Sequence, residues 1–302
     1  MCRFTLYLGP SIRLSTLLIE PAHSLIHQSF HAAERDEPLN GDGFGIGWYA
    51  PRLSPEPAVF HSVSPAWNNR NLRSIAQVVA SPCVLAHVRA ATEGSEVHQA
   101  NCHPFQHGRY LLMHNGAIGA FRRVRRKLLA ELSDEAYSVI RGSTDSEHMF
   151  AIFVDELLNN GQPGEDAFDS PDGARRLAEH LAATLGRVLA VVKTEGDGAP
   201  SFLNMAVSDG VHAAVSRFTS HPSLPPDTLY TLHDGIYPTT SQEFAQRKSE
   251  EEGEAVVVSS ERLTGDSAWR AVPPNHIVAF SRGQTPRLFP LTPDARIEAL
   301  GQ

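Results

Sequence analysis

Short runs rich in β-branched and aromatic residues recur along the chain without a helix between successive runs, and this restricts the folds open to it more than any other feature. Phe4 to Leu8, Gly45 to Tyr49, Val84 to Val88 and Tyr110 to Met113 read as strands. So do Val188 to Val192, Phe202 to Val207, Ala213 to Ser216, Leu229 to Leu232, Ala255 to Ser259 and His276 to Phe280. Helical periodicity is confined to Asn68–Val79, Ile118–Glu131, Ser146–Asn159 and Ala174–Ala183. Many strands without regular βαβ alternation predict two antiparallel sheets with helices outside them. A parallel doubly wound sheet fits poorly, because no Gly-x-Gly-x-x-Gly follows a strand and opens a helix. The glycines at 41, 43, 45 and 47 run into Trp48-Tyr49, so they predict a close-packed turn entering a strand.

The helix expected over Ser146–Asn159 carries Met149, Phe150, Phe153, Val154, Leu157 and Leu158 on one broad face. Thr144 to Glu147 matches a capping box before it, which puts Asp145 at a helix start. There its charge complements the helix dipole whatever else it does. Asn159 to Gly173 and Arg217 to Asp227 read as loops, and Glu195 to Pro200 reads as a hairpin connection.

Composition excludes several function classes. With a net charge of −8, the chain is not built mainly to neutralise phosphates. No apolar run approaches the roughly 18 residues that a membrane span needs, and the first residues lack the pattern of a secretory signal. Three cysteines (Cys2, Cys83 and Cys102) make no disulfide framework, so a reducing cytoplasm is expected. The fifteen histidines show neither His-Glu-x-x-His nor His-x-His, and no Cys-x-x-Cys is present, so no metal site is expected. The basic cluster Arg122 to Lys127 reads as a solvated helix face.

Three segments carry chemistry. Removal of Met1 would leave Cys2 with both a thiol and a free α-amine, which titrates near about 8 in reference peptides. One residue would then supply a nucleophile and a proton acceptor, although a small hydrophobe opening an edge strand would look the same. Val84-Leu85-Ala86-His87-Val88-Arg89 ends a strand on a guanidinium, which can hold a carboxylate through two parallel hydrogen bonds or join a surface ion pair. Asn115-Gly116 follows an apolar run as a hairpin turn would, but the residues after it look helical rather than like a returning strand. A side-chain amide beside a glycine N–H makes a two-donor site for an oxyanion.

The order Cys2, His87-Val88-Arg89 with Thr92, His114-Asn115-Gly116 and Thr144-Asp145-Ser146-Glu147 resembles the class II glutamine amidotransferases, which are N-terminal-nucleophile hydrolases. The late segment Val256 to Leu263, followed by Trp269, is similar to that family's Ser-Glu-x-Leu turn. Within the family, Pro21 to Ile26, Asn40 to Gly45, Pro65 to Leu72 and Asn101 to Pro104 look like two particular types. One is the amidotransferase-type subunit of fungal glutathione degradation, and the other is the ergothioneine-pathway γ-glutamyl hydrolase. Where the glucosamine-synthase type has Arg-Trp-Ala-Thr-His, this chain has Arg89-Ala90-Ala91-Thr92-Glu93.

The resemblance implies an α+β fold, an αββα four-layer sandwich of two antiparallel sheets. It implies a domain over 2–281 with a C-terminal tail over 282–302. It also implies hydrolysis of a γ-glutamyl amide through a Cys2 thioester, with Asn115 and Gly116 holding the oxyanion and no cofactor. Arg89 would grip the substrate α-carboxylate and Asp145 its α-ammonium, with Thr92 helping at the same end. The alternative is a catalytically silent subunit that binds γ-glutamyl ligands or scaffolds a larger complex. The expected partners are a small-molecule γ-glutamyl substrate and a second enzyme chain carrying any acceptor chemistry, with no nucleic acid and no membrane.

Overall fold

A computed structural model describes residues 2–34, 39–91, 96–160, 170, 172–233 and 255–298. The first half contains β1 (Arg3–Arg13), α1 (Leu14–Leu18), α2 (Leu25–Gln28), β2 (Phe44–Trp48), β3 (Ala58–Ser62), α3 (Arg70–Val78), β4 (Ala80–Val88), β5 (Phe105–His107) and β6 (Tyr110–Ala117). Four helices follow: α4 (Phe121–Ala130), α5 (Asp134–Ser138), α6 (Asp145–Asn159) and α7 (Gly173–Glu195). The rest is strand, with β7 (Phe202–Ser208), β8 (His212–Arg217), β9 (Tyr230–Leu232), β10 (Val256–Ser259), β11 (Arg270–Ala271), β12 (His276–Ser281) and β13 (Arg287–Pro290).

The strands form two antiparallel sheets. One runs β11-β9-β10-β1-β4-β2-β3, and the other runs β13-β12-β8-β7-β6-β5. Three apolar cores separate four layers. Helices α1 to α3 cover one sheet, where Leu14, Leu17, Leu25 and Leu72 pack on Ile46, Val84 and Ala86. Helices α6 and α7 cover the other, where Phe150, Leu181 and Val188 pack on Leu112, Met205 and Ala214. Between the sheets, Phe4, Leu6 and Leu85 meet Leu111, Met113 and Val215. Strand β1 is central and covered on both faces, with Phe4, Leu6 and Leu8 pointing between the sheets and Tyr7 pointing outward. That is why Leu6, Tyr7 and Leu8 are apolar at successive and not only at alternate positions.

The glycines of β2 let the sheets approach closely. A Cβ on Gly45 would run into the His103 carbonyl, and one on Gly47 into Leu111. Thr144 caps α6 through the Glu147 N–H at 3.3 Å, as the capping box predicts. The Glu147 carboxylate does not complete the box, however. It accepts from Arg141 N–H at 2.7 Å and Gly142 N–H at 2.6 Å instead.

Three expectations are corrected. Val188 to Val192 is the second half of helix α7, not a strand. Leu177, Leu181, Leu185, Val188 and Val192 form one buried stripe at spacings of three and four, and a short β-branched run viewed alone conceals that period. Glu195 to Pro200 therefore joins a helix to β7 instead of closing a hairpin. The stretch from 282 read as a tail contains β13, which pairs with β12 and buries Phe289. No described helix is long and apolar enough to cross a membrane.

Candidate active site

Alternation along the strands decides which side chains share a space. Phe4 of β1 points between the sheets, so the preceding Cys2 is carried to the same face. On β4, Cys83 and Leu85 point inward, and the same alternation carries His87 and Arg89 there. On β6, Leu111 and Met113 point inward, and Asn115 continues the series. Strand β6 packs on β1 and β4, so these side chains converge at one end of the interlayer gap.

The Cys2 thiol donates to the Ala90 carbonyl at 3.6 Å. Its pKa is raised, chiefly by burial, with the Asp145 carboxylate adding to the rise. The Ala90 hydrogen bond and the Arg89 guanidinium pull the other way. Both charges therefore act on the sulfur. A thiol held above its ordinary pKa rests protonated near neutrality, so nucleophilic attack needs a base to remove the proton.

Arg89 is 3% exposed. Asp42 holds the segment around it. The Asp42 carbonyl accepts from Arg89 Nη1 at 3.5 Å, the Asp42 N–H donates to the Arg89 carbonyl at 3.0 Å, and its carboxylate accepts from Ala91 N–H at 2.7 Å. Gly43, with φ +111°, accepts at its carbonyl from the Arg89 N–H at 2.8 Å. Thr92 lies outside the described residues.

Strand β6 runs through Asn115-Gly116 to Ala117, paired with β7, so the dipeptide is not a hairpin turn. Gly116 has φ +142°, and a Cβ there would collide with the Phe202 carbonyl, so only glycine fits. Asn115 is 2% exposed, and its Oδ1 has no hydrogen-bond partner among the described residues. Asp145 opens α6 and ties it to the exit of β6, accepting from Ile118 N–H and Ser146 N–H at 2.9 Å each. His114 donates through Nε2 to the Phe202 carbonyl at 3.3 Å, so its Nδ1 accepts from Ser146 Oγ at 2.9 Å. Burial lowers its pKa, with Asp145 opposing.

Strand-by-strand reading missed the support beneath the nucleophile. Arg3, buried on the opposite face of β1, donates from Nη1 to the Cys2 carbonyl at 2.9 Å and from Nε to Glu261 at 2.6 Å. Glu261 also takes His23 Nε2 at 2.6 Å and Ala33 N–H at 2.9 Å. Burial alone would raise this carboxyl. The bonds from His23, Ala33 and Arg3 outweigh it and hold the pKa at about 2. Glu261 stands in the Ser-Glu-x-Leu turn, which was the one signal available. Among the described residues, no group of three His, Cys, Asp or Glu side chains is arranged to hold a metal ion.

Comparison with known proteins agrees with this arrangement. Residues 19–297 match the family described as "Glutamine amidotransferases class-II". The chain is 38% identical to "Probable glutamine amidotransferase DUG3" of Saccharomyces cerevisiae, over 96% of this chain and 84% of the yeast protein. It is 25% identical to the γ-glutamyl-hercynylcysteine sulfoxide hydrolase of Mycobacterium tuberculosis, over 93% of this chain and 94% of that one. Among solved structures, a glutamine aminotransferase class-II domain protein from Silicibacter pomeroyi superposes with a TM-score of 0.61 at 25% identity, covering 95% of this chain and 98% of that one. Glutamine phosphoribosylpyrophosphate amidotransferase of B. subtilis shares the fold, with a TM-score of 0.56 at 12% identity over 95% of this chain and 48% of that chain. With the sandwich, the inward-facing cysteine and a match across nearly the whole length in agreement, the chain belongs to the class II glutamine amidotransferases.

Proposed function

We propose that the chain, once Met1 is removed, hydrolyses the γ-glutamyl amide bond of glutamine or of a γ-glutamyl compound such as glutathione. The Cys2 α-amine takes the thiol proton, directly or through a water, and the sulfur attacks the γ-carbonyl carbon. The Asn115 side-chain amide and the Gly116 N–H stabilise the tetrahedral oxyanion. Collapse breaks the C–N bond, and the leaving amine departs with the proton held by the α-amine. Water then attacks the γ-glutamyl thioester, releasing glutamate and restoring the thiol. Arg89 pairs with the substrate α-carboxylate and Asp145 faces the α-ammonium, with Thr92 at the same end. Only a γ-linked glutamyl group joins a free amino-acid head of this charge pattern to an amide at the right reach.

The observation that carries this reading is the setting of the sulfur: the Cys2 thiol donates to the carbonyl of Ala90, the residue after Arg89, at 3.6 Å, at the end of the interlayer gap toward which Asn115 is buried with no partner for its Oδ1 among the described residues. The yeast and mycobacterial relatives, one named as a glutamine amidotransferase and the other as a γ-glutamyl hydrolase, support the bond class. We also infer a cytoplasmic location, and a partner enzyme chain for any acceptor chemistry.

The test uses protein with a proven Cys2 N-terminus. It should release glutamate from at least one of glutamine, glutathione or another γ-glutamyl amide, and an electrophilic glutamine analogue should add once, at Cys2, by intact mass. Full activity in Cys2→Ala, or no glutamate from any of these substrates, overturns the reading. Ligand binding without labelling would mark a silent binding subunit instead.

A further inference from the structure

We propose that His87 is a positioning residue: its imidazole bridges the two sheets and sets the gap between the nucleophile's sheet and the strand that carries Asn115 and Gly116. The proposal rests on the roles given above to Cys2, Asn115 and Gly116.

The contact itself is simple. His87 stands on β4 directly opposite Phe4 of β1, two residues before Arg89, and is fully buried. Its Nε2 lies 3.2 Å from the His114 carbonyl on β6. A carbonyl can only accept, so Nε2 carries the proton. That carbonyl belongs to the peptide unit whose nitrogen is Asn115. Strand β5 stops pairing with β6 at Leu112, so this edge of β6 is open beyond that point. The proton comes from the other sheet.

Two further observations give the contact weight. The apolar core between the sheets ends here, because Phe4, Leu85 and Met113 are its last members toward the site on β1, β4 and β6. Beyond them, the inward positions are Cys2, His87, Arg89 and Asn115. At the far end the packed core sets the spacing of the sheets together with Cys83 against Ser208 at 3.3 Å and the Tyr49 hydroxyl on the Ser208 carbonyl at 2.9 Å, whereas here the core has ended and the His87 bond spans the gap to β6. The second observation is that the imidazole is a poor way to fill the space. Its Nδ1 is buried with no hydrogen-bond partner among the described residues, and its ring lies against His103 at 4.1 Å between centroids. A phenyl ring would occupy a similar volume with no unmatched nitrogen. What the histidine adds is the one donor. Burial, with the Arg89 charge assisting, pushes its pKa to about 3 against the opposing His114 bond, so the ring stays neutral while the enzyme works.

The experiment compares wild type, His87→Phe and His87→Gln, each with a proven Cys2 N-terminus. Three quantities are read: kcat and KM on the best γ-glutamyl substrate, affinity for the γ-aldehyde analogue of glutamine, and the rate of Cys2 alkylation by iodoacetamide. The aldehyde forms a tetrahedral thiol adduct that needs the oxyanion donors, whereas alkylation needs only the sulfur. His87→Phe should lose about 10–100-fold in kcat, as expected when donors shift by a fraction of an ångström, and a similar factor in aldehyde affinity. KM and alkylation should stay within about twofold, because the amino-acid clamp and the thiol are untouched. His87→Gln, which keeps a donor, should recover most of the loss. If His87→Phe does not fold, the comparison passes to His87→Gln against His87→Met, of similar size with and without a donor.

Wild-type kcat and aldehyde affinity in the donor-less variant overturn the proposal, as does a loss confined to KM or a glutamine variant no better than the donor-less one. A wild-type protein that neither turns over nor labels at Cys2 overturns the functional reading, and this proposal with it. An active wild type with an indifferent His87→Phe overturns this proposal alone.

Discussion

Glu261→Gln removes one charge and almost no volume from the cluster that holds the nucleophile's carbonyl. The carboxylate is 1% exposed and accepts from Arg3, His23 and Ala33, which together hold its pKa at about 2. Each pKa unit is worth about 1.4 kcal/mol, so the drop from the ordinary glutamate value corresponds to about 3 kcal/mol of folding stability at neutral pH. Loss of one partner from a buried ion pair points to the same range, because the Arg3 guanidinium remains in place at 2% exposure. The sign follows from the direction of the shift. A carboxyl depressed in the folded state stabilises above its unfolded pKa, and that contribution disappears as pH falls through about 2. The assay is chemical denaturation of wild type and variant at neutral pH and in acid. The variant should be about 3 kcal/mol less stable at pH 7, and roughly half of that difference should remain near pH 3. A neutral-pH difference below about 1 kcal/mol, or one that does not shrink in acid, would refute the reasoning. Activity should fall as well, since Arg3 loses the anchor that aims it at the Cys2 carbonyl.

Other substitutions separate the parts of the site. Asn115→Ala should lower kcat by about 10²–10³, equivalent to about 2.7–4 kcal/mol, with little change in KM, because its amide acts on charge that develops in the transition state; steady-state kinetics on glutamine or glutathione will check this. Arg89→Lys keeps the charge but not the planar fork, so KM should rise by about tenfold or more while Cys2 alkylation proceeds at its wild-type rate. Gly116→Ala forces a Cβ toward the Phe202 carbonyl at φ +142°, so melting temperature and glutamate release should both fall. A wild-type melting curve in that variant would contradict the backbone geometry.

Much of the fold was legible because the patterns are local. β1 and β4 read correctly from β-branched and apolar runs, and α6 read correctly from its cap and stripe, both of which arise within about 15 residues of chain. Val188 to Val192 failed for the complementary reason. Five residues cannot separate a strand from a helix, and only continuation of the stripe from Leu177 decides it. β3, β5, β11 and β13 were missed because they are short, exposed or at sheet edges, where partners and not propensity make the strand. In the site, Cys2, Arg89, Asn115 and Asp145 could be named because each has a reactive or charged group in a recognisable local setting. Asp42, Glu261 and His87 fall within motifs that could be quoted, but their roles could not be read, because those roles lie in atoms they reach far along the chain. Arg3 and Glu261, for example, are 258 residues apart.

The amino-acid order alone determined the chemistry on offer: a cysteine at position 2, an arginine ending a strand, an Asn-Gly pair and a carboxylate at a helix start. It also determined the side of each strand on which these groups lie, because side chains alternate whatever the sheet pairs with. Tertiary structure decided which strands face one another, where the apolar core between the sheets stops, and which buried polar groups then fill the remaining gap. Such contacts depend on pairings across hundreds of residues, and the energy of a buried hydrogen bond or ion pair exists only once both partners have left water together.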